Sequence, residues 1–155
     1  KSPGNKIISI SLKANKNVNL QNTEYSFVKT KVDYYFGWEE IAINNIITKI
    51  ATPEKALCDM IHFHRSIYSI DLVIEKLRDY KNDINFVKIQ NYISRLSMTT
   101  LKVFGFIFDL LDIDSSELLK KSQTTKTAHK MTSDSKIFNA KWRLYYDNYF
   151  DKYVL

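Results

Sequence analysis

Asp33, Glu39 and Glu40 stand close together in a stretch that reads as β structure, and Lys49 follows them. Scattered Asp, Glu and Lys on a sheet edge are the ingredients of a metal-dependent nuclease core, in which carboxylates hold the ion. Their spacing is nonspecific, so a nuclease-like domain stands as the alternative reading. His62 and His64 flank Phe63. Two positions apart on a helix, they point to different faces and suit one metal poorly. His62 with Asp59 is spaced for a surface hydrogen bond rather than a ligand set. Cys58 is the one cysteine, which excludes an internal disulfide or a Cys-rich zinc site. It lies inside a helix and reads as a semi-buried structural thiol. Three scattered glycines cannot form a phosphate-cradling loop, and neither G-x-S-x-G nor H-E-x-x-H occurs. The sequence therefore predicts a noncatalytic protein with no metal and no cofactor.

Charge is the stronger signal. The chain carries a formal net charge of +6. Lys120, Lys121, Lys126, Lys130, Lys136, Lys141 and Arg143 fall in one segment that only Asp134 opposes, and that segment holds the whole surplus. Such a stripe is an electrostatic footprint for nucleic acid or another polyanion, and equally fits a solvated lysine-rich loop. Tyr34, Tyr35, Phe36 and Trp38 form one aromatic group, and Trp142, Tyr145, Tyr146, Tyr149 and Phe150 another. Either could stack on bases, although aromatics on strands more often serve the core. A chain of 155 residues, 45% hydrophobic and 26% charged, fits one packed domain spanning 1–155. The longest apolar patch, 103–111, is broken by Gly105 and Asp109 and is too short to span a membrane. No charged-then-apolar leader opens the chain. A soluble, cytoplasmic protein with no membrane partner is expected.

The elements that must position these residues follow from periodicity. Residues 7–12 and 25–32 alternate at period two and read as strands. Residues 15–22 are Asn-rich and read as a loop. Asn44-Asn45 between two β-rich runs predicts a tight hairpin. From Thr52 the period becomes helical. Ala56, Leu57, Met60, Ile61 and His64 form the inward stripe, with Lys55, Asp59 and His62 off it. Thr52 is placed to cap this helix, Pro53 to occupy its first position and Glu54 to meet its dipole. Further helices are predicted from Ser69, after Asn85 and over about 99–111, with a short capped one at 115–121. Gly105 inside the 99–111 helix costs close to 1 kcal/mol against Ala, which suggests close approach of a neighbour. Residues 122–135 read as a polar loop or arm and 136–150 as an aromatic strand. The order predicts an α+β fold: a small, mainly antiparallel N-terminal sheet, about four helices and a late aromatic strand.

The stretch YYFGWEEIAINNIITKIATPEKALCDMI, 34–61, resembles the signature of the AbiEi-type antitoxins of bacterial abortive-infection, or type IV toxin–antitoxin, systems. The matching residues are Phe36, Gly37, Glu39, Glu40, the run from Ala51 through Thr52, Pro53, Glu54 and Lys55 to Leu57, and Asp59. LKVFGFIFDLLDI, 101–113, is similar to a second family helix, with Gly105 at its glycine and Asp109 at its acid. NAKWRL, 139–144, is similar to the family's closing strand, with Trp142 as its tryptophan. Where the family has a basic doublet before the helix glycine this chain has Val103-Phe104, and its closing glycine is Asp112. The resemblance covers roughly residues 25–145. It implies a transcriptional regulator and antitoxin acting in phage defence. Such a protein binds promoter DNA through an N-terminal winged helix-turn-helix and counteracts a nucleotidyltransferase-like toxin without a stable complex. Nothing at the start of this chain reads as the winged helix, so the expectation is the C-terminal effector domain. A plain dimerisation module of a DNA-binding regulator is the remaining alternative.

Overall fold

The switch from period two to period 3.6 at Thr52 divides the first five strands from the helices that follow. The computed structural model describes residues 4–154. Where the sequence reading has one domain, the chain separates into two compact units, Lys1–Gly37 and Trp38–Leu155. The fold is α+β, with mixed helices and strands.

The first unit is a three-stranded sheet in the order β1-β3-β2. Its strands are β1 (Asn5–Ser11), β2 (Val18–Leu20) and β3 (Thr23–Lys29), followed by a 3-10 turn at Val32–Tyr34. The Asn-rich stretch expected as a loop contains β2. Gln21 and Asn22 take positive φ, 47° and 64°, so the β2–β3 connection is a tight turn of the primed kind. β1 and β3 run parallel with Ile7 opposite Tyr25, which alternation alone did not indicate. Among the described residues of this unit only Phe36 is buried. It precedes Gly37, whose φ of 80° a side chain rarely tolerates.

The second unit begins with β4 (Trp38–Ile43) and β5 (Ile46–Ala51), an antiparallel hairpin. Asn44 and Asn45, with φ of 51° and 64°, form the predicted turn. α1 (Pro53–Phe63) starts as expected: Thr52 Oγ1 accepts from Lys55 N at 3.2 Å, with Pro53 in the first turn. Its inward face is rotated from the prediction. Lys55 is fully buried, whereas Ala56 and His64 are exposed. α2 (Ile67–Asp79) begins a turn before Ser69. Ser66 is the cap and Ser69 its reciprocal partner in a capping box. α3 (Phe86–Ile93) follows Asn85 as predicted.

α4 (Met98–Leu110) is the centre of the unit. A single inward stripe was expected, yet every residue from Thr100 to Phe108 is buried. A helix apolar nearly all round must be enclosed. It ends in a Schellman turn, with Ile113 N donating to Phe108 O and Asp112 N to Asp109 O. Asp112 takes φ 55° there. The position at which the related motif has glycine thus keeps the left-handed conformation without one.

α5 (Ser116–Ser122) lacks the predicted cap bond, because Ser115 Oγ donates to Asp109 instead. The expected polar arm at 122–135 is folded: it contains β6 (His129–Lys130) and buries Ser122, Met131 and Ser135. The expected aromatic strand is a hairpin, β7 (Ile137–Asn139) and β8 (Leu144–Tyr146), followed by a 3-10 helix at Asn148–Tyr153. β6 joins β8 in parallel, giving the order β6-β8-β7. Among the described residues no helix is long and apolar enough to cross a membrane.

The β7–β8 turn drives Trp142 onto α4. The indole is 1% exposed and lies against Gly105. A Cβ at Gly105 would stand 2.3–2.5 Å from three of its ring carbons, so the glycine is there for contact. Gly105→Ala should therefore destabilise the protein by about 1–3 kcal/mol through overpacking, against the ~1 kcal/mol gain that helix propensity alone predicts. Urea unfolding monitored by Trp fluorescence decides the sign.

Candidate functional site

Of the residues singled out by the family resemblance, Gly105, Asp109 and Trp142 meet in one polar cluster of the second unit and Thr52, Glu54, Lys55 and Asp59 in another, whereas Phe36 and Gly37 belong to the first unit and Glu39 and Glu40 to β4. The first cluster lies at the end of α4. Asp109 Oδ2 accepts the Trp142 indole N–H at 2.8 Å, and Oδ1 accepts Ser115 Oγ at 2.6 Å. Lys141 Nζ approaches both oxygens, at 2.9 and 2.8 Å. Burial raises the Asp109 carboxyl, but hydrogen bonds from Lys141, Ser115 and Trp142 outweigh it and leave the group below the ordinary carboxylate range. Gly105, Asp109 and Trp142 are thus one structural unit.

The second cluster surrounds the Thr-Pro-Glu junction. Besides capping α1, Thr52 Oγ1 shares a hydrogen bond with Tyr92 OH at 3.2 Å. Glu54 is 8% exposed, and its carboxylate accepts Asn85 N–H, 3.2 Å away at the start of α3. Buried Lys55 donates to Asp59 at 2.7 Å. Burial raises the Asp59 carboxyl above its ordinary range, and the bond and charge of the Lys55 ammonium offset only part of that rise. Cys58 is wholly buried beside them, and burial pushes its thiol far up; it is no nucleophile at neutral pH.

The acids considered for a nuclease site lie on separate elements, Asp33 in the 3-10 turn and Glu39 and Glu40 on β4. Asp33 belongs to the first unit, and Glu39 and Glu40 to the second. As neighbours on β4, Glu39 and Glu40 project to opposite faces. Glu40 lies opposite Lys49, and Glu39 opposite Ile50. Lys49 Nζ sits 4.7 Å from the centre of the Trp38 ring. Among the described residues no group of three or more His, Cys, Asp or Glu is arranged to hold a metal ion. His62 Nδ1 bonds Thr100 Oγ1 at 3.0 Å.

The basic stripe is not one uniform surface. Lys120 pairs with Glu117 at 3.0 Å, and Lys141 with Asp109. Lys121 lies in the last turn of α5. Lys126, Lys130, Lys136 and Arg143 are exposed and form no ion pair among the described residues. Sequence reasoning missed two cations here. Lys102 is 1% exposed on α4, its ammonium donating to Thr127 O at 2.6 Å and meeting His129 Nδ1 at 2.8 Å. Arg65, just beyond α1, donates from Nε to Met131 O at 2.6 Å. The available signal was a lone lysine inside an apolar helix. Burial and the nearby Arg143 lower the Lys102 ammonium. Burial and the Lys102 and Arg65 charges lower His129, and burial with Lys55 and Arg65 lowers His62. His129 must present a bare Nδ1 to Lys102, so its proton sits on Nε2.

No family model matches the chain, and no curated protein or solved structure does either.

Two predictions follow from these contacts. Thr52→Ala should cost about 1–2 kcal/mol, the range of a lost cap. Glu54→Ala should cost about 1.5–3 kcal/mol, since it removes a hydrogen bond from the Asn85 amide to a buried, charged acceptor. Denaturant unfolding would find the opposite order if Glu54 acted only on the helix dipole. The second concerns pH. Folding holds His62 and His129 below their ordinary value of 6.5, so the unfolded chain binds more protons. Stability should be level above about pH 6.5 and fall as pH drops through the lowered values. In His62→Gln/His129→Gln, thermal melts between about pH 7.5 and 5.5 should lose most of this dependence.

Proposed function

We propose that the chain is the effector domain of an antitoxin and transcriptional regulator from a type IV toxin–antitoxin, or abortive-infection, system. It acts through its surfaces and not by catalysis. It counteracts a nucleotidyltransferase-like toxin in the cytoplasm without forming a stable complex, and contributes to autorepression. Promoter DNA is read mainly by a separate winged helix-turn-helix module, while the Lys120–Arg143 segment adds contacts to phosphates that carry no sequence information.

The observation that supports this reading is the meeting of Gly105, Asp109 and Trp142. Two motifs of the family resemblance, far apart in the sequence, supply one interlocking contact. The nuclease alternative loses support because Glu39 and Glu40 project to opposite faces of β4. A dimerisation role is favoured by one feature, the β4–β5 hairpin. Strand register places Ile41, Ile43, Ile46 and Ile50 on one face, each at least 41% exposed.

The test is growth rescue. Co-expression of the chain with a nucleotidyltransferase-like toxin of such a system should restore growth, and Asp33→Asn/Glu39→Gln/Glu40→Gln should restore it equally. No rescue by soluble, folded protein would refute the antitoxin reading, and loss of rescue only in the triple variant would return the nuclease.

A further inference from the structure

Three cations from separate parts of the second unit converge on one short stretch of backbone. Arg143 Nε donates to Lys126 O at 2.8 Å, Lys102 Nζ to Thr127 O at 2.6 Å and Arg65 Nε to Met131 O at 2.6 Å. The stretch adds its own exposed Lys126 and Lys130. None of these five cations forms an ion pair among the described residues. Their acceptors are carbonyls and a neutral imidazole. Burying a charge is costly without a counter-charge, and Lys102 is buried with further cations beside it. The arrangement is short of negative charge.

The same stretch runs into an open groove of about 590 Å³ lined by Arg65, Ser66, Tyr68, Lys130, Thr132 and Ser133, among others. Tyr68, on the first turn of α2, is 77% exposed. A bare aromatic ring beside cations and hydroxyls suits an unpaired base with its phosphate, whereas duplex DNA keeps its base faces stacked. Among the described residues Asp134 is the one acid lining the groove.

We infer that residues 126–131 and the adjoining groove form a binding track for single-stranded nucleic acid. Phosphates lie along Arg143, Lys126, Lys130 and Arg65, and a base stacks on Tyr68. Lys102 and His129 lie behind the track, adding field and holding its backbone in place. The inference rests on reading the basic segment as a nucleic-acid surface. Its readout is oligonucleotide binding and not toxin rescue, so the two ideas fail separately.

Fluorescence anisotropy with labelled oligothymidine and oligouridine probes of about 12 nucleotides, within the usual footprint of such sites, tests it against a duplex of equal length. Single strands should bind more tightly than duplex. The slope of log affinity on log salt should be about −2.8 if each of the four cations meets one phosphate. Lys126→Glu/Lys130→Glu should weaken binding tenfold or more. Tyr68→Ala should weaken it about fivefold or more with the slope unchanged, and Asp134→Asn should tighten it. Lys120→Glu/Lys121→Glu, outside the track, should have little effect. The inference is overturned by absence of saturable binding at low salt, by preference for duplex with no effect of Tyr68→Ala, or by equal losses from the Lys120/Lys121 pair.

Discussion

The contact of the Trp142 indole with Gly105 is the constraint on which the second unit depends. An indole has a large apolar body and one N–H, and when buried it needs both a flat surface and an acceptor. α4 supplies both on one face, a residue without a side chain at 105 and a carboxylate one turn later at 109. Asp109 also takes the hydroxyl of Ser115 and the ammonium of Lys141. One carboxylate at the end of the central helix therefore orients the β7–β8 turn and the start of α5. Its acceptor capacity is the reason for an acid there, since three donors of different geometry meet two oxygens with several lone pairs.

Around that centre the remaining polar groups act as ties between elements rather than as catalytic machinery. Glu54 binds the start of α3 from the start of α1. Asp147 accepts Ser135 and Thr132 hydroxyls and so fastens the 132–135 turn behind β8. Asp71 on α2 takes the hydroxyls of Tyr149 and Tyr153 and draws the final 3-10 helix onto that helix. In each case an acid joins segments that a short helix or strand could not align by apolar contact alone. Where buried, such bonds to charged acceptors contribute about 1.5–3 kcal/mol each, and the exposed Tyr149–Asp71 bond contributes less.

The two buried lysines show the contrast between structural and available charge. Lys55 has Asp59 at 2.7 Å, and the pair neutralises itself within α1. Among the described residues Lys102 has only a carbonyl and an imidazole. Replacing a buried ion by an apolar residue is often neutral or stabilising, so packing alone gives little reason for Lys102. Its place behind a line of exposed cations supplies one. The two units differ as well. Every residue of the main core cluster lies in the second. The first has strand pairing but a single buried side chain among its described residues, and small sheets without a packed face have limited stability of their own.

Local chemistry was legible in the sequence. The α+β order, the Asn44-Asn45 turn and the Thr52 and Asn85 caps each arise from neighbouring residues, and such signals act within a few positions of the chain. The Gly105 approach was also visible as a cost in want of a reason, but not the residue that approaches. What only the tertiary structure decided is whatever depends on distant partners. β1 and β3 pair in parallel, α4 is enclosed on all sides, Ser115 gives up its cap for Asp109, and the polar 122–135 segment is held by cations from α4 and the end of α1. The stripe of seven basic residues was countable, yet two of them are paired with acids and two further cations join from elsewhere. Charge is additive along a sequence, but its field depends on which charges face one another, and that is set by packing.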